Sequence, residues 1–477
     1  MKTREKRDVD VVVVGAGPNG LAAAITLQQA GLQVLLIEGK DTIGGGMRSA
    51  SFTLPGFVHD VCSAVHPLAA ASPFFQTLPL TSFGLEWLYP EIAAAHPFDN
   101  GMAAALYASV GETAAQAGKD TDAYNKLMQP LANKWDKLLP ALLGPFDLSH
   151  AFTLSGFGLS ALQSAYGLAS RHFQTPVMRG LMAGMAAHCI QPLTNKATAA
   201  VALVLLLSGH GKGWPIPKGG SQQLANALAG YFQSLGGTIE TGLMVQSLSQ
   251  LPSSHAVLLD VTPQQLLRIA GHQLSPLYRW QLERYRYGMG VFKMDWAIEG
   301  AVPFVAEACR KAGTVHIGNT MEEITAAELQ TWKGRHVDVP FVLLAQPGVC
   351  DASRAPEGRQ SVWGYCHVPA GSARDMTEAV ERQVERFAPG FRDQILDRHV
   401  MSALDMEQYN PNYIGGDIGG GVQDIGQLFT RPALRLSPYR TSAKGIYICS
   451  SSTPPGGGVH GMCGYYAAQR ALKDVFL

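Results

Sequence analysis

Gly15, Gly17 and Gly20 stand in GxGxxG spacing within the loop Gly15-Ala16-Gly17-Pro18-Asn19-Gly20, and that spacing suits the binding of phosphates. The valine run of Val9 and Val11 to Val14 predicts a buried strand before the loop, and an apolar helix is predicted after it, from about Asn19 to Ala30. Gly15 permits the tight turn, Gly17 lets bare backbone approach a pyrophosphate, and Gly20 lets helix and strand pack closely. The helix would turn its free N–H groups and positive dipole end toward the phosphates, a gain of roughly 0.3 to 2 kcal/mol. Gly31 closes the helix, and the following strand, Gln33 to Ile37, ends at Glu38. A carboxylate there accepts hydrogen bonds from an adenosine ribose and disfavours a 2′-phosphate, so NADP fits poorly. Strand, loop, helix and spaced acid together specify a dinucleotide pocket, which a lone glycine-rich turn would not.

Other residues could move a proton. His59 and His66 lie in the segment HDVCSAVHP, and His460 follows a second glycine turn, Gly456-Gly457-Gly458-Val459. An imidazole can act as general base, although histidines often only satisfy buried polar groups. His367, Tyr365 and Tyr465 are weaker candidates for a cavity wall, and Cys463 reads as a small buried hydrophobe. With no close His/Cys/carboxylate cluster, no metal site is expected.

These residues need elements to position them, and nucleotide-type signals recur in three separated blocks. Besides the N-terminal unit, a helix from about Ser221 to Leu235 ends at Gly236 and Gly237 and leads into strands at Thr238 to Glu240, Leu243 to Leu248 and Ala256 to Leu259. Val245 would lie on the middle strand. The third block runs from a strand at Ile446 to Cys449, through the glycine turn, into an alanine-rich helix ending near Leu472. The expected fold is therefore α/β, a Rossmann-like domain interrupted by a helical and mixed-sheet substrate domain. Its parts are residues 1–85, 213–263 and 431–477, with the helical region at 86–212 and the mixed sheet at 264–430. Strands are expected in that sheet at Gly288 to Trp296, Gly313 to Ile317, Val339 to Ala345 and Gln360 to Val368, after a helix at Thr262 to Ile269. Gly156, Gly158 and Ala161 match GxGxxA, but no β-branched strand precedes them, so no second nucleotide site is expected.

Composition narrows the setting. The 477 residues are 47% hydrophobic and suit two or three domains. Lys plus Arg equals Asp plus Glu at 37 each, so no global charge recruits nucleic acid or an anionic membrane. Seven cysteines without a CxxC exclude a dithiol redox centre and point to a reducing compartment. The basic start MKTREKRD lacks the apolar region of a signal peptide. From Leu148 to Gly211 there is no Asp or Glu, so that stretch is buried, lines an apolar cavity, or rests on lipid. The expected location is cytoplasmic, with peripheral membrane contact as an open alternative.

The segments GAGPNGLAAA, IEGKDTIGGGMR, LPGFVHDVCSAVHPL, WPIPKGGSQQLANAL, ERFAPGFRD, NPNYIGGDI and YICSSSTPPGGGVHGMCGYYAA span nearly the whole chain. Together they resemble the phytoene desaturase-like superfamily of FAD oxidoreductases, in the branch called pyridine nucleotide-disulphide oxidoreductase domain-containing protein 2. The dithiol that this branch name suggests is absent. Where true phytoene desaturases have a histidine before the last glycine turn, this chain has Pro454, which sets it apart from a carotene enzyme. The cluster Gly44 to Gly46 with Arg48 resembles the second phosphate contact of FAD enzymes of the glutathione-reductase class. The resemblance implies that Gly15, Ala16, Gly17, Pro18, Asn19, Gly20, Glu38, Gly45, Gly46, Arg48 and Val245 hold the ADP half of FAD. It places Gly457, Gly458 and Val459 under the flavin ring. The implied activity is hydride transfer from a hydrophobic small molecule to flavin N5, with oxygen, a quinone or another acceptor removing the electrons. A redox-neutral isomerase using reduced FAD and a non-catalytic flavin-bound scaffold are the rival readings; an NAD dehydrogenase is disfavoured.

Overall fold

The computed structural model describes residues 8–145 and 151–477. The basic start of the chain and residues 146–150, where the acid-free stretch begins, lie outside the described residues. Five parallel strands form one sheet: β1 (Val11–Val14), β2 (Val34–Ile37), β9 (Thr238–Glu240), β10 (Ala256–Leu259) and β16 (Ile446–Ile448), in the order β16-β10-β1-β2-β9. The valine run makes β1 its centre because a parallel strand is covered on both faces and needs no alternation. Helix α1 (Pro18–Gln29) follows, with Pro18 in its first turn, where a missing N–H costs nothing. The last helix, Met462–Ala471, lies against α1 so closely that a Cβ on Gly464 would stand 1.8 Å from the Asn19 carbonyl oxygen. Residues more than 400 positions apart in sequence thus share one nucleotide-binding layer.

A second, seven-stranded sheet is built from β6 (Ile92–Pro97), β7 (Ala103–Leu106), β11 (Gly290–Glu299), β12 (Ala312–Ile317), β13 (Val342–Ala345), β14 (Arg359–Val368) and β15 (Ile395–Met401). Their order is β15-β11-β14-β13-β12-β6-β7, antiparallel except where β6 meets β12. Period-two alternation gives its two faces different partners. Val315, Ile317, Val342, Leu344, Val362 and Cys366 enter a core with Val380, Val384 and Phe387 of the helix Thr377–Phe387. Thr314, Leu343, Trp363 and Tyr365 face the other way and border a cavity. Two short pairs complete the strands: β3 (Ser49–Ala50) with β4 (His59–Asp60), and β5 (Trp87–Leu88) with β8 (Ile216–Pro217).

Three sequence expectations need correction. The region 86–212 is not wholly helical, since β6 and β7 extend the second sheet. Their alanine-rich sequences, IAAAHP and AAAL, hold one β-branched residue, Ile92, and no alternation to announce a strand. The strand expected at Leu243 to Leu248 is irregular chain: Gly242, at φ 77°, turns the backbone back so that Leu243 N–H donates to the Glu38 carbonyl. Val245 is therefore not on a strand. β15 was not expected, its sequence ILDRHVM being that of a polar edge. The stretch without Asp or Glu supplies three apolar helices, Ala151–Ala161, Pro176–Ala187 and Thr198–Gly211. Among the described residues no helix is long and apolar enough to cross a membrane.

Candidate functional site

One cavity of about 1100 Å³ runs from the GxGxxG loop into the space between the apolar helices and the second sheet. Gly15, Gly17, Pro18 and Asn19 border it at one end with Glu38, Gly45, Gly46, Arg48 and Val245. Gly457, Gly458, Val459, His460 and His66 border it further along. Ala16 and Gly20 lie behind the loop, and His59 is elsewhere.

Geometry explains each glycine. Gly15 adopts φ 99°, a backbone that a side chain resists. A Cβ on Gly20 would fall 1.7 Å from the Gly15 carbonyl oxygen. Gly17 has an ordinary φ of −75°, so its need is spatial: a Cβ would come within 3.1 Å of Asp260 Oδ2, and Gly45 packs just beside it. Gly17 is also the N-cap of α1 and offers no side-chain cap; with Pro18 lacking an N–H and the Leu21 N–H bonded to the Gly17 carbonyl, the Asn19 N–H is the first-turn donor left for a ligand.

The charges around this end are paired. Glu38 Oε2 accepts the Ala16 N–H at 2.8 Å, and Oε1 accepts from Lys40 N–H at 3.0 Å and from Arg48 Nη2 at 2.9 Å. Arg48 also donates from Nε to the Thr42 carbonyl and stacks on Tyr409, as does the Lys40 ammonium. A residue not singled out in the sequence completes the group. Asp260, directly after β10, accepts the Gly20 N–H at 2.9 Å and borders the cavity. Burial, reinforced by the nearby Glu38 charge, lifts its carboxyl to about 7 despite the Gly20 hydrogen bond. Its signal was its place: a carboxylate at the C-terminal end of a parallel strand, where open α/β sheets bind ligands.

The second glycine turn is braced from both sides. Arg431, fully buried, donates to the carbonyls of Ser451 and Ser452 at 2.7 and 3.3 Å, and Ser452 Oγ donates to the Gly420 carbonyl at 2.8 Å. His460 Nδ1 accepts the Met462 N–H at 3.0 Å, so its Nε2–H donates to the Gly456 carbonyl at 3.2 Å. Both ring nitrogens are committed, and the imidazole works as a clasp on the turn. Burial lowers its basicity to about 4.

His66 differs. The Ser221 hydroxyl gives its one proton to the Ser63 carbonyl, so His66 Nε2–H donates to Ser221 Oγ at 2.7 Å. Nδ1 keeps its lone pair without a partner. Burial holds this ring at about 4 as well. His59 must be moved off the site. It bonds Thr53 Oγ1 at 2.7 Å within a buried ionic cluster where Arg354 pairs with Asp60 at 2.8 Å and Lys293 pairs with Asp295. Burial takes His59 to about 4. The Arg354–Asp60 pair ties β4 to the segment before β14, and His59 Nδ1 lies 3.7 Å from Asp295 Oδ1 on β11, so the cluster joins elements of the second sheet to β4.

Of the weaker candidates, Tyr365 borders the cavity, His367 is buried against Glu328 at 2.7 Å, and Tyr465 packs on Phe74. Cys463 is buried with its thiol pushed up by burial to about 11, the environment of an inert sulfur. The GxGxxA match lies inside a helix, where Gly158 and Ala161 open space for the cavity. His188, from the end of the helix Pro176–Ala187, also borders the cavity and pairs with His316 at 2.8 Å. Among the described residues no three His, Cys, Asp or Glu side chains converge as metal ligands.

The observed cradle fits a dinucleotide: the Asn19 N–H at the start of α1, glycines that close approach demands, and a carboxylate, Glu38, directly after β2. The adjoining chamber is mostly apolar, walled by Leu154, Phe157, Val201 and Val204 together with Trp363 and Tyr365. A family model described as an NAD(P)-binding Rossmann-like domain matches residues 13–78. Pyridine nucleotide-disulfide oxidoreductase domain-containing protein 2 of Rattus norvegicus is 24% identical, over 98% of this chain and 94% of its own. A lycopene-forming phytoene desaturase of Pantoea ananas is also 24% identical, over 96% of this chain and 98% of its own. Among solved structures, a triple mutant of putrescine oxidase superposes with a TM-score of 0.63 at 19% identity, covering 98% of each chain. Over its full length this chain is a distant relative of pyridine nucleotide-disulfide oxidoreductase domain-containing protein 2 and of the phytoene desaturases, on an α/β fold shared with putrescine oxidase.

Proposed function

We propose that the protein is an FAD-dependent oxidoreductase that removes a hydride from a predominantly apolar small molecule. One observation carries this reading: the glycine-rich cradle and the apolar chamber are a single continuous cavity that the Gly457-Gly458 turn also borders. The loop Gly15 to Gly20, Glu38, Gly45, Gly46, Arg48 and Val245 would hold the ADP half, and Gly457, Gly458 and Val459 would lie against the flavin. Bound FAD supplies the hydride acceptor, and oxygen, a quinone or a similar carrier is the final electron sink. The chain's own contribution is orientation, exclusion of water by the aliphatic wall, and a place for the proton that leaves with the hydride. His66 suits that last role, lining the cavity, neutral, and oriented by Ser221, with a buried, unpartnered Nδ1. The visible spectrum of the purified protein, with mass spectrometry of the released chromophore, tests the reading. Stoichiometric FAD is expected; a colourless protein that takes up no added FAD overturns it.

A further inference from the structure

Asp260 occupies a position that a dinucleotide should find hostile. Its Oδ2 takes the Gly20 N–H of the same α1 N-terminus that would receive phosphates, and it stands 3.1 Å from where a Gly17 Cβ would be. The charges around it do not neutralise it. Glu38, at the end of β2, is a like charge; Arg48 is committed to Glu38, and the Lys40 ammonium lies over the Tyr409 ring. The first turn of α1 brings no charged side chain, and the buried thiols of Cys449 and Cys463 also lie within reach of Asp260's charge. With Asp260 ionised, a second carboxylate stands beside the α1 N-terminus without a cation of its own.

We propose that Asp260 is a proton-carrying member of the cofactor cradle: the protonated carboxylic acid admits the dinucleotide, and binding takes up a proton when the free protein has lost it. This rests on the FAD reading above. As a neutral acid, Asp260 still accepts the Gly20 N–H through its carbonyl oxygen. Its O–H then becomes a donor beside an incoming pyrophosphate, and one repelling charge disappears. The free carboxyl already titrates near neutrality, so little is needed to complete the change.

The sign is fixed by linkage. Below the free carboxyl's own titration the site is already protonated and affinity is flat. Above it, affinity falls by up to about tenfold per pH unit, because each binding event must capture a proton. The diester pyrophosphate of FAD has no proton of its own to lose in this range.

The test is the FAD dissociation constant of the full-length apoprotein, followed by tryptophan quenching from about pH 5.5 to about pH 8.5, for wild type and Asp260→Asn. Wild type should bind progressively more weakly above neutrality. Asp260→Asn, a permanent neutral mimic, should match wild type at the acid end and stay flat throughout. Calorimetry of wild type in two buffers of different ionisation enthalpy should show net proton uptake above neutrality, a readout that needs no variant to fold. A flat wild-type profile without proton uptake overturns the proposal and leaves Asp260 an ionised acceptor for a hydroxyl. Absence of FAD binding at every pH overturns the cofactor reading itself.

Discussion

His66 and His460 sit on the same cavity wall, both kept neutral by burial, yet their hydrogen bonds leave them with different capacities. His460 has spent both nitrogens on the glycine turn, whereas His66 retains a lone pair on Nδ1. A paired comparison separates the two roles. His66→Gln keeps a donor for Ser221 but removes Nδ1; it should retain FAD while slowing substrate-driven flavin bleaching by roughly 10²- to 10⁴-fold. His460→Ala should instead lower flavin content by loosening the turn. Bleaching unchanged in His66→Gln would send the proton to another group.

At the scale of elements, the strand–turn–helix unit at the N-terminus separates steric needs that the GxGxxG spacing lumps together. A valine at position 17 would press on the Asp260 carboxylate without disturbing φ, whereas any side chain at position 20 strikes the Gly15 carbonyl. Gly17→Val should therefore keep its far-ultraviolet circular dichroism and lose FAD retention, while Gly20→Val should lose the fold; full flavin content in Gly17→Val would remove the phosphate assignment. This unit was legible in the sequence because its signals are local: a valine run, three spaced glycines and an acid. β6 and β7 were not, since alanine carries no strand signature and their partners lie in distant segments. Val245 was assigned to a strand on composition, but Gly242 turns the chain away before pairing can begin. Asp260 escaped notice because its meaning depends on Gly20, 240 residues away. The histidines were visible as types, but only the identity of each hydrogen-bond partner distinguishes a clasp from an acceptor.

For the whole molecule, buried histidines set a pH limit. Burial holds His59, His66, His96, His210 and His460 at about 4 and His188 at about 3, with His316 also far below its ordinary value. Their folded values lie below the unfolded value of about 6.5, so the unfolded chain binds more protons between those limits. Stability should be greatest above that range and fall as pH drops toward 4. Urea midpoints at pH 7, 6 and 5 should decrease in that order, and equal midpoints would show that these rings are more hydrated than their burial implies. The sheet order β16-β10-β1-β2-β9 has a further consequence, one of timing during synthesis. β16 and the Gly456 to Gly458 turn are made after the other four strands of the sheet, so a nascent chain holds the Gly15 to Gly20 loop long before it holds the second glycine turn. On the FAD reading, cofactor capture waits for that turn, and until β16 is made β10 stays open along the edge that β16 will close.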